Sequence, residues 1–521
     1  MALRLHNTLT KRVEEFLTRE PGKAAIYVCG PTVYDVTHLG HMRAAVVFDV
    51  LRRYLEFRRY QVTHVQNVTD VEDKIIARAQ AEGVSTDAIT GRYLDDYQRV
   101  SRALNVLPPH VEPRASQHIP EMIEMIERLI ERGYAYHAEG DVYFEVTKLP
   151  EYGKLSGQLP GELRAGARVE PGEFKRHPAD FALWKRAKPG EPSWDSPWGK
   201  GRPGWHIECS AMSLKYLGMG FDIHGGGDDL IFPHHENEIA QSEAYAATRP
   251  FARYWVHNAM VMVHGEKMSK SLRNYIAVAD ALQRYSADVI RYALAAVHYR
   301  KPMEVDEARL EDAAKALGRL RIALASAGTV QARAGGGGTG GPASRALQRA
   351  AESASAAFTA AMDEDLNTSA GLASVFDLVA EVNRVTDQVL KGGTDAAETM
   401  PGLQEACDAL RVMTAILGLR LEDAVDEELA GRVRDLAASL RQEAAQLFSG
   451  EPGRTLDEVV AFILAGREKA RGKRDFATAD RIRKRMAEAG ILVEDLPTGP
   501  KWRVASTDGR RPTADASGHR A

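Results

Sequence analysis

The sequence predicts an α/β fold in which a parallel-sheet domain carries an insertion and is followed by a helical bundle and a small C-terminal domain. Three observations predict it: the length, a βαβ pattern near the N-terminus, and a purely helical pattern beyond Asp288. A chain of 521 residues exceeds what one hydrophobic core absorbs, which favours about three or four domains. The apolar share of 44% and the charged share of 27% exclude a wholly disordered chain.

The βαβ pattern consists of two apolar strands that flank one amphipathic helix. Residues 24–30 form a short apolar run ending in glycine, apolar residues recur at helical spacing over 40–58, and a second strand covers 61–66. This order is typical of a parallel sheet, in which ligands bind beyond the carboxyl ends of the strands. Cys29 and Thr69 lie at two such ends.

The domain boundaries are predicted from changes of pattern along the chain. The sheet pattern resumes near Gly204, and a strand at 221–224 is predicted to end at the glycines 225–227. A glycine-rich run predicts a flexible linker, and the polar C-terminal tail is predicted to be disordered. The predicted segments are 1–115 and 201–260 for the two halves of the sheet domain, 116–200 for the insertion, 261–330 for a region with a lysine-rich loop, 331–342 for the linker, 343–448 for the bundle, 453–504 for the C-terminal domain and 505–521 for the tail.

Charge, hydropathy and cysteine usage exclude several classes of protein. The 68 Lys and Arg against 72 Asp and Glu give a formal charge of −4, which excludes a uniformly basic protein but not a local basic patch. No stretch approaches the roughly 18 apolar residues of a membrane span, and the N-terminus lacks the apolar core of a secretory signal. Three scattered cysteines form no disulfide framework, which predicts a cytoplasmic protein with Cys407 as a structural residue.

One motif lies where the first predicted helix begins. In Thr37-His38-Leu39-Gly40-His41, free backbone amides and the helix dipole favour phosphate binding. His38 and His41 add donors for phosphate oxygens, and Gly40 leaves space for a flat base. A helix start that is merely capped by histidine is the plainer interpretation, and it stays open.

A second motif, Lys267-Met268-Ser269-Lys270-Ser271, follows a predicted strand. Lys267 and Lys270 on a loop suit a pyrophosphate whose charge grows as it departs. Such a run by itself is usually a solvated basic loop. Its position downstream of the histidine motif favours nucleotide chemistry.

Four polar side chains are able to hold a metal ion, although they are far apart in sequence. Cys29 ends the first strand, and Cys209 lies in a predicted helix further along the chain. A proline suited to a first helical turn precedes His234, which places His234 and Glu238 on one helix face. Two thiolates, an imidazole and a carboxylate are enough for a tetrahedral zinc site. Ligation by the adjacent pair 235–236, or cysteines that only fill the core, are alternatives that stay open.

The segment 466–503 carries a local excess of positive charge, with eleven Lys or Arg and six Asp or Glu. Basic groups bind phosphates, and an aromatic ring or an arginine plane stacks on an unpaired base. An ordinary solvated helix face is the alternative interpretation. The residues expected to contact a nucleic acid are Arg471, Arg474, Arg481, Lys484 and Trp502.

These motifs occur together with further segments in a fixed order: 27–35, 67–70, 204–210, 225–230, 362–368 and 474–480. The ordered set resembles the cysteinyl-tRNA synthetases, a family of class I aminoacyl-tRNA synthetases, over nearly the whole chain. The resemblance implies a Rossmann-like catalytic domain with a connective insertion, a stem-contact region around the lysine-rich loop, a helical bundle and a C-terminal anticodon-binding domain.

The resemblance also implies the ligands of the site. It implies zinc at Cys29, Cys209, His234 and Glu238. It implies catalytic roles for His38, His41, Lys267 and Lys270. It implies ATP, accompanied by magnesium, at His38, Gly40, His41 and Lys270. It implies a substrate pocket of Gly40, Thr69, Trp205 and Asp229, in which Asp229 holds the ammonium group.

The activity implied by the resemblance is ATP-dependent activation of L-cysteine and its transfer to the 3′-terminal adenosine of tRNA(Cys), by a cytoplasmic monomer. Two alternatives stay open. One is a ligase that gives activated cysteine to a small amine, as in the mycothiol pathway, but such relatives lack a region like 453–504. The other is a catalytically inactive tRNA-binding paralogue, which is expected to lose His38, His41 or the lysine-rich loop, all present here.

Overall fold

The computed structural model of the chain describes residues 2–158, 174–263, 265–268, 275–335, 338, 340–421, 427–448, 450, 452, 456–496 and 499–504. They belong to two units that divide between Leu419 and Arg420. Within the described ranges, no helix is long and apolar enough to cross a membrane. The tail 505–521, predicted to be disordered, lies outside the described residues.

The first unit begins with a hairpin and the first half of a parallel sheet. Its elements are β1 (Arg4–Asn7), β2 (Arg12–Glu15), β3 (Lys23–Val28), α1 (Leu39–Phe57), β4 (Gln61–Gln66), α2 (Asp73–Glu82) and α3 (Thr86–Ala103). β3 and β4 pair in parallel, so their carboxyl ends meet at one edge. Gly30 follows β3, and a Cβ there would lie 1.6 Å from the carbonyl oxygen of Asn67. The ends of the two strands therefore touch through the main chain.

The insertion is a helix followed by a four-stranded antiparallel sheet. Its elements are α4 (Ile119–Glu131), β5 (Ala135–Ala138), β6 (Asp141–Phe144), β7 (Phe181–Arg186) and β8 (Gly201–Pro203), in the sheet order β5-β6-β7-β8. Phe144, Phe181 and Trp184 pack in one core with Tyr27 of β3. The insertion therefore shares its hydrophobic core with the parallel sheet.

The chain returns to the parallel sheet through α5 (Trp205–Leu217), β9 (Phe221–Gly227), α6 (Glu236–Ala246) and β10 (Ala252–Asn258). The sheet order is β10-β9-β3-β4, with every neighbouring pair parallel, which confirms the predicted α/β fold. β9 ends at Gly227, within the glycines 225–227 at which the sequence predicted its end. Gly225 lies inside the strand. A Cβ there would be 2.2 Å from the ring of Phe48 on α1, so this position has no room for a side chain.

A small sheet and two helices follow: β11 (Val261–Val263), β12 (Glu266–Lys267), α7 (Val278–Arg284), α8 (Ala287–Ala295) and β13 (Met303–Glu304). β11 is central, antiparallel to β12 and parallel to β13. The N–H of Leu39 donates to the carbonyl of Ile276 at 3.1 Å. This hydrogen bond brings the segment before α7 to the start of α1.

The helical bundle contains α9 (Glu307–Ala334), α10 (Pro342–Asp363), α11 (Thr368–Leu390), α12 (Ala396–Thr399) and α13 (Gly402–Ile416). The glycine-rich stretch joins α9 to α10, and α9 packs on α11, α12 and α13. The bundle therefore begins at Glu307, not at residue 343 as the sequence indicated. The stretch is a connection inside the bundle.

The second unit contains α14 (Glu427–Glu443), α15 (Leu456–Gly472), α16 (Phe476–Glu488), β14 (Ile491–Leu496) and β15 (Gly499–Val504), and the two strands form an antiparallel hairpin. The sequence assigned residues up to 448 to the bundle, but α14 packs on α15 and α16. Val433 and Leu440 of α14 share a core with Ile463 and Ile482. An apolar helix face shows that a helix is packed, but not which core it joins.

Candidate active site and metal centre

Four side chains from separate places in the chain converge at the carboxyl edge of the parallel sheet. Cys29 follows β3, Cys209 lies on α5, and His234 and Glu238 lie at the start of α6. Their ligand atoms all lie within 4.8 Å of one another. The two Sγ atoms are 3.6 Å apart, and Glu238 Oε1 is 3.5 Å from Cys29 Sγ and 3.1 Å from His234 Nε2.

The spacing of these atoms fits a tetrahedral metal ion. Zinc bonds of about 2.0 to 2.3 Å place tetrahedral ligand atoms about 3.3 to 3.8 Å apart, close to the separations of 3.1 to 3.6 Å here. Burial raises the pKa of both thiols, and burial together with His206 and His224 lowers the pKa of His234. The thiols and the imidazole are therefore neutral in the protein alone, and a bound divalent cation would favour the thiolates.

The start of α6 differs slightly from the predicted helix. The segment Ile231–His235 precedes α6 and is kinked at Phe232, whose φ of −134° and ψ of 131° are extended, so the helix proper begins at Glu236. His234 and Glu238 still face the same point. The indole of Trp205 contacts the His234 imidazole with ring centroids 4.2 Å apart and planes tilted by 32°, which restricts the orientation of that ring.

A second set of possible ligands overlaps the first. Cys29, His224, His235 and Glu238 also place their ligand atoms within 4.8 Å of one another. His235 Nε2 lies 3.3 Å from Cys29 Sγ, and His224 Nε2 lies 2.9 Å from Glu238 Oε2. Distances alone therefore admit either set, and Cys29 and Glu238 belong to both.

Glu236, which the sequence left open as a ligand, has a structural role instead. Its carboxylate accepts the backbone N–H groups of Gly153, Leu155 and Ser156 at 2.8 to 3.1 Å. Both carboxylate oxygens of Glu236 thus bind a turn of the insertion, so the alternative interpretation of Glu236 as a metal ligand is wrong.

The histidine motif lies at the N-terminus of α1. His38 Nδ1 accepts the N–H of His41 at 3.4 Å, and His41 Nδ1 accepts the N–H of His38 at 3.3 Å. The two rings stack with centroids 3.7 Å apart. A Cβ on Gly40 would lie 3.0 Å from the His38 ring, so glycine allows this ring to fold over the first turn. His38 therefore caps α1, and this cap is compatible with a phosphate role because each ring also has an Nε2 atom.

An open cleft of about 480 Å³ is lined both by the histidine motif and by Cys29, one of the four possible metal ligands. Its lining includes Cys29, His38, Gly40, His41, Trp205 and Asp229. Thr69 is buried, and its hydroxyl donates to Glu208 Oε2 at 3.1 Å. Six of the predicted site residues therefore share one cleft, whereas Cys209, His234, Glu238 and Thr69 are buried and do not line it.

The lysine-rich run lies only partly within the described residues. Lys267 is on β12, whose main chain pairs with Met262 of β11. Met268 is buried and lines the cleft. Lys270 lies outside the described residues. The described part of the run therefore reaches the cleft at Met268.

Several imidazoles surround the cluster, and of these sequence reasoning named only His235, as an alternative ligand. His206 Nδ1 lies 3.0 Å from His234 Nδ1, and His235 Nδ1 lies 2.7 Å from His257 Nε2. Burial lowers the pKa of His257 to about 3, so this ring is uncharged at neutral pH. His257 lies one residue before the carboxyl end of β10, where the strand-end rule would have found it, whereas His224 lies in the middle of β9.

The residues of the second unit that the sequence predicted to contact a nucleic acid differ in their ion pairing and packing. Arg471 pairs with Glu468 at 3.4 Å and with Asp495 at 3.2 Å. Trp502 on β15 packs partly against the core of this unit. Phe476, which sequence reasoning missed, is 60% exposed at the first residue of α16. The other predicted contacts, Arg474, Arg481 and Lys484, lie just before α16 or on it.

Comparisons with known families decide which family the chain belongs to. Residues 15–315 match the family model described as the tRNA synthetases class I (C) catalytic domain, more than half of the chain. Residues 357–422 match the DALR domain, and residues 454–503 match the cysteinyl-tRNA ligase anticodon binding domain. The chain belongs to the cysteine–tRNA ligase family.

Members of the family are similar to this chain over their full length. The cysteine–tRNA ligase of Geobacter sulfurreducens is 49% identical over 506 residues, covering 97% of this chain and 100% of the relative. That of Heliobacterium modesticaldum is 46% identical over 508 residues, with 97% and 100% coverage. The family and the class I synthetase assignment made from the sequence are thereby confirmed.

Among solved structures, the chain is similar to the methionyl-tRNA synthetase of Mycobacterium tuberculosis in complex with methionyl-adenylate. The TM-score is 0.59 at 17% identity, over 81% of this chain and 96% of the other. At this identity the likeness shows the fold alone. It agrees with the α/β parallel-sheet architecture described above.

Proposed function

We propose that this chain attaches L-cysteine to tRNA(Cys) in two steps at the cleft. The cysteine carboxylate first attacks the α-phosphate of ATP, which forms cysteinyl-adenylate and releases pyrophosphate. The 2′-hydroxyl of the 3′-terminal adenosine then takes the cysteinyl group and releases AMP. The observation that carries this proposal is that Cys29, a member of the four-ligand cluster, lines the same cleft as the histidine motif.

In this proposal zinc is the ion held by Cys29, Cys209, His234 and Glu238. When bound, zinc supplies a soft Lewis acid for the substrate sulfur, which a serine hydroxyl replaces poorly. Trp205 holds the His234 ring, and His224 holds the Glu238 carboxylate. A purely apolar pocket separates near-isosteres by only about 10- to 200-fold, so the donor set of this chain favours discrimination by sulfur.

The other site residues position the reactants. His38 and His41 donate to ATP phosphates at the start of α1, and Gly40 allows the adenine to approach. Lys267 and Lys270 stabilise the departing pyrophosphate, and magnesium accompanies ATP. Asp229 holds the substrate ammonium group, whereas Thr69 acts indirectly by holding Glu208 next to Cys209. The chain works as a cytoplasmic monomer.

The proposed function is tested by measuring whether the choice of cysteine over serine depends on the bound metal. The zinc-replete protein is expected to contain one zinc ion per chain and to catalyse ATP–pyrophosphate exchange with cysteine but not with serine. A chelator should abolish the exchange, and added zinc should restore it. Exchange that persists without metal, or that serine supports equally, contradicts the proposed role of the metal.

The exchange assay, combined with measurements of tRNA charging and tRNA binding, separates the two alternative functions. Exchange with cysteine but no charging of tRNA(Cys) indicates a ligase that uses a small amine as acceptor. Binding of tRNA without any exchange indicates a catalytically inactive paralogue. The match of residues 454–503 to the anticodon binding domain supports the synthetase over the first alternative.

Replacing Phe476 by alanine is expected to weaken tRNA recognition without affecting cysteine activation. The exposed ring beside Arg474 and Arg481 suits an unpaired base, and base–aromatic stacking is worth about 1 to 3 kcal/mol, so KM for tRNA should rise roughly 5- to 150-fold. The measurement is aminoacylation against tRNA concentration. Ile322→Ala, at a residue that is also exposed but lies on α9, is the control. An unchanged KM for tRNA in Phe476→Ala excludes Phe476 as a stacking platform.

A further inference from the structure

The turn between α10 and α11 carries three consecutive carboxylates, and each binds a different part of the first unit. Asp363 accepts the hydroxyl of Tyr54 at 2.7 Å and pairs with Arg58 at the end of α1. Glu364 pairs with Arg4 of β1 at 2.9 Å, and both side chains are exposed. Asp365 is only 3% exposed. The turn thus connects the bundle to the sheet domain at three separate points.

Asp365 binds two chain segments with one buried carboxylate. Oδ1 accepts the N–H of His6 at 2.8 Å and the hydroxyl of Tyr299 at 2.5 Å. Oδ2 accepts Nε of Arg300 at 2.6 Å and lies 3.6 Å from Nε2 of His298. Asp365 has a left-handed backbone with φ of 59°. Such a conformation is uncommon in a residue with a side chain and persists where surrounding contacts hold it.

The segment held by Asp365 continues directly into the wall of the cleft. The carbonyl of Tyr299 accepts the N–H of Ala259 at 2.8 Å, and the N–H of Met303 donates to the carbonyl of Met260 at 3.0 Å. β13 then pairs with β11, and β11 pairs with β12, which carries Lys267. Ala259, Met260 and Val261 line the cleft. The position of β13 therefore determines the position of Ala259, Met260 and Val261 in the cleft.

We infer that Asp365 is a positioning residue for adenylate formation: it holds Tyr299 and Arg300, these fix β13, and β13 fixes β11 and β12, directly after which Met268 lines the cleft. The inference rests on the proposed function. Asp363 offers a matched comparison, because it lies beside Asp365 in the chain and its carboxylate also binds one tyrosine and one arginine. Its partner Tyr54 lies 13 residues along α1 from His41, a distance of about 20 Å, so Asp363 holds the end of α1 remote from the cleft.

The test compares Asp365→Asn with Asp363→Asn in zinc-replete protein. Asparagine keeps the size of the side chain but lacks the charge and presents an NH₂ group where one oxygen accepted hydrogen bonds. In Asp365→Asn, kcat of cysteine-dependent ATP–pyrophosphate exchange should fall about tenfold or more while KM for cysteine stays within about twofold. Asp363→Asn should lower the melting temperature by about as much as Asp365→Asn does, but its kcat should stay within about twofold of that of the unmodified protein. Glu364→Gln should change neither.

Several results would overturn the inference. They are an unchanged kcat in Asp365→Asn, an equal loss of kcat in Asp363→Asn, and an increase of KM for cysteine without loss of kcat. If Asp365→Asn does not fold, Tyr299→Phe removes one donor to the same carboxylate, and an unchanged kcat there also overturns it. Failure of the proposed function shows separately, as an absence of cysteine-dependent exchange in the unmodified protein.

Discussion

Replacing Cys209 by serine is expected to remove the bound metal and cysteine activation together. Serine supplies a hydroxyl that stays protonated and binds zinc weakly, so Cys29, His234 and Glu238 would remain as the protein ligands. We expect zinc content to fall far below one ion per chain. The rate of cysteine-dependent exchange should fall about 100-fold or more, since even outer partners of metal ligands are typically worth 10- to 100-fold.

Elemental analysis and ATP–pyrophosphate exchange on the same preparation measure this effect. Cys407→Ala is the matched control, because Cys407 is buried in the bundle on α13 and should leave zinc content and exchange unchanged. Unchanged zinc in Cys209→Ser would exclude Cys209 as a ligand. That result would favour the overlapping set of Cys29, His224, His235 and Glu238.

Replacing His38 by asparagine is expected to slow adenylate formation while the protein stays stable. Asparagine is among the best N-cap residues, so it preserves the cap that His38 provides to α1. It removes the imidazole that we propose as a phosphate donor. Loss of one donor to developing charge typically costs about 100- to 1,000-fold in rate, and we expect a decrease of this order.

Two variants separate the capping role of His38 from the catalytic one. His38→Ala should lose both, with the same slow adenylate formation and a free energy of unfolding lower by about 0.5 to 2 kcal/mol. Pre-steady-state adenylate formation and thermal unfolding measure the two effects. If His38→Asn forms adenylate at the original rate, His38 is only a cap.

Part of the candidate metal site was predictable from the residues themselves, because their chemistry is unusual and their position follows a rule, whereas the choice of the four ligands came from the family resemblance. Cys29 ends a strand, and ligands of parallel sheets collect at strand ends. His234 and Glu238 are four residues apart in a helical segment, so one face presents both. The structure brings these atoms together with Cys209, while the catalytic role of each residue stays a prediction.

Other features depend on packing that the sequence pattern does not encode. The apolar face of α14 fits either unit, and only the structure shows that it joins the second. Charge and aromaticity indicated Trp502 as a base-stacking residue, but its ring packs on the core, while Phe476 is exposed. Thr69 lies at a strand end, yet its hydroxyl is bound to Glu208. Exposure and hydrogen bonding are three-dimensional properties, so composition alone does not assign them.

The close approach of Gly30 and Asn67 has a consequence for the fidelity of translation. With 1.6 Å between a hypothetical methyl group and a peptide oxygen, mutation of Gly30 to any other residue would force the neighbouring strand aside and shift Cys29 with it. Under the proposed role of the metal, the distinction between sulfur and oxygen then depends on one glycine that is itself not a metal ligand. Substitution there should raise the misincorporation of serine even when all four ligands are intact.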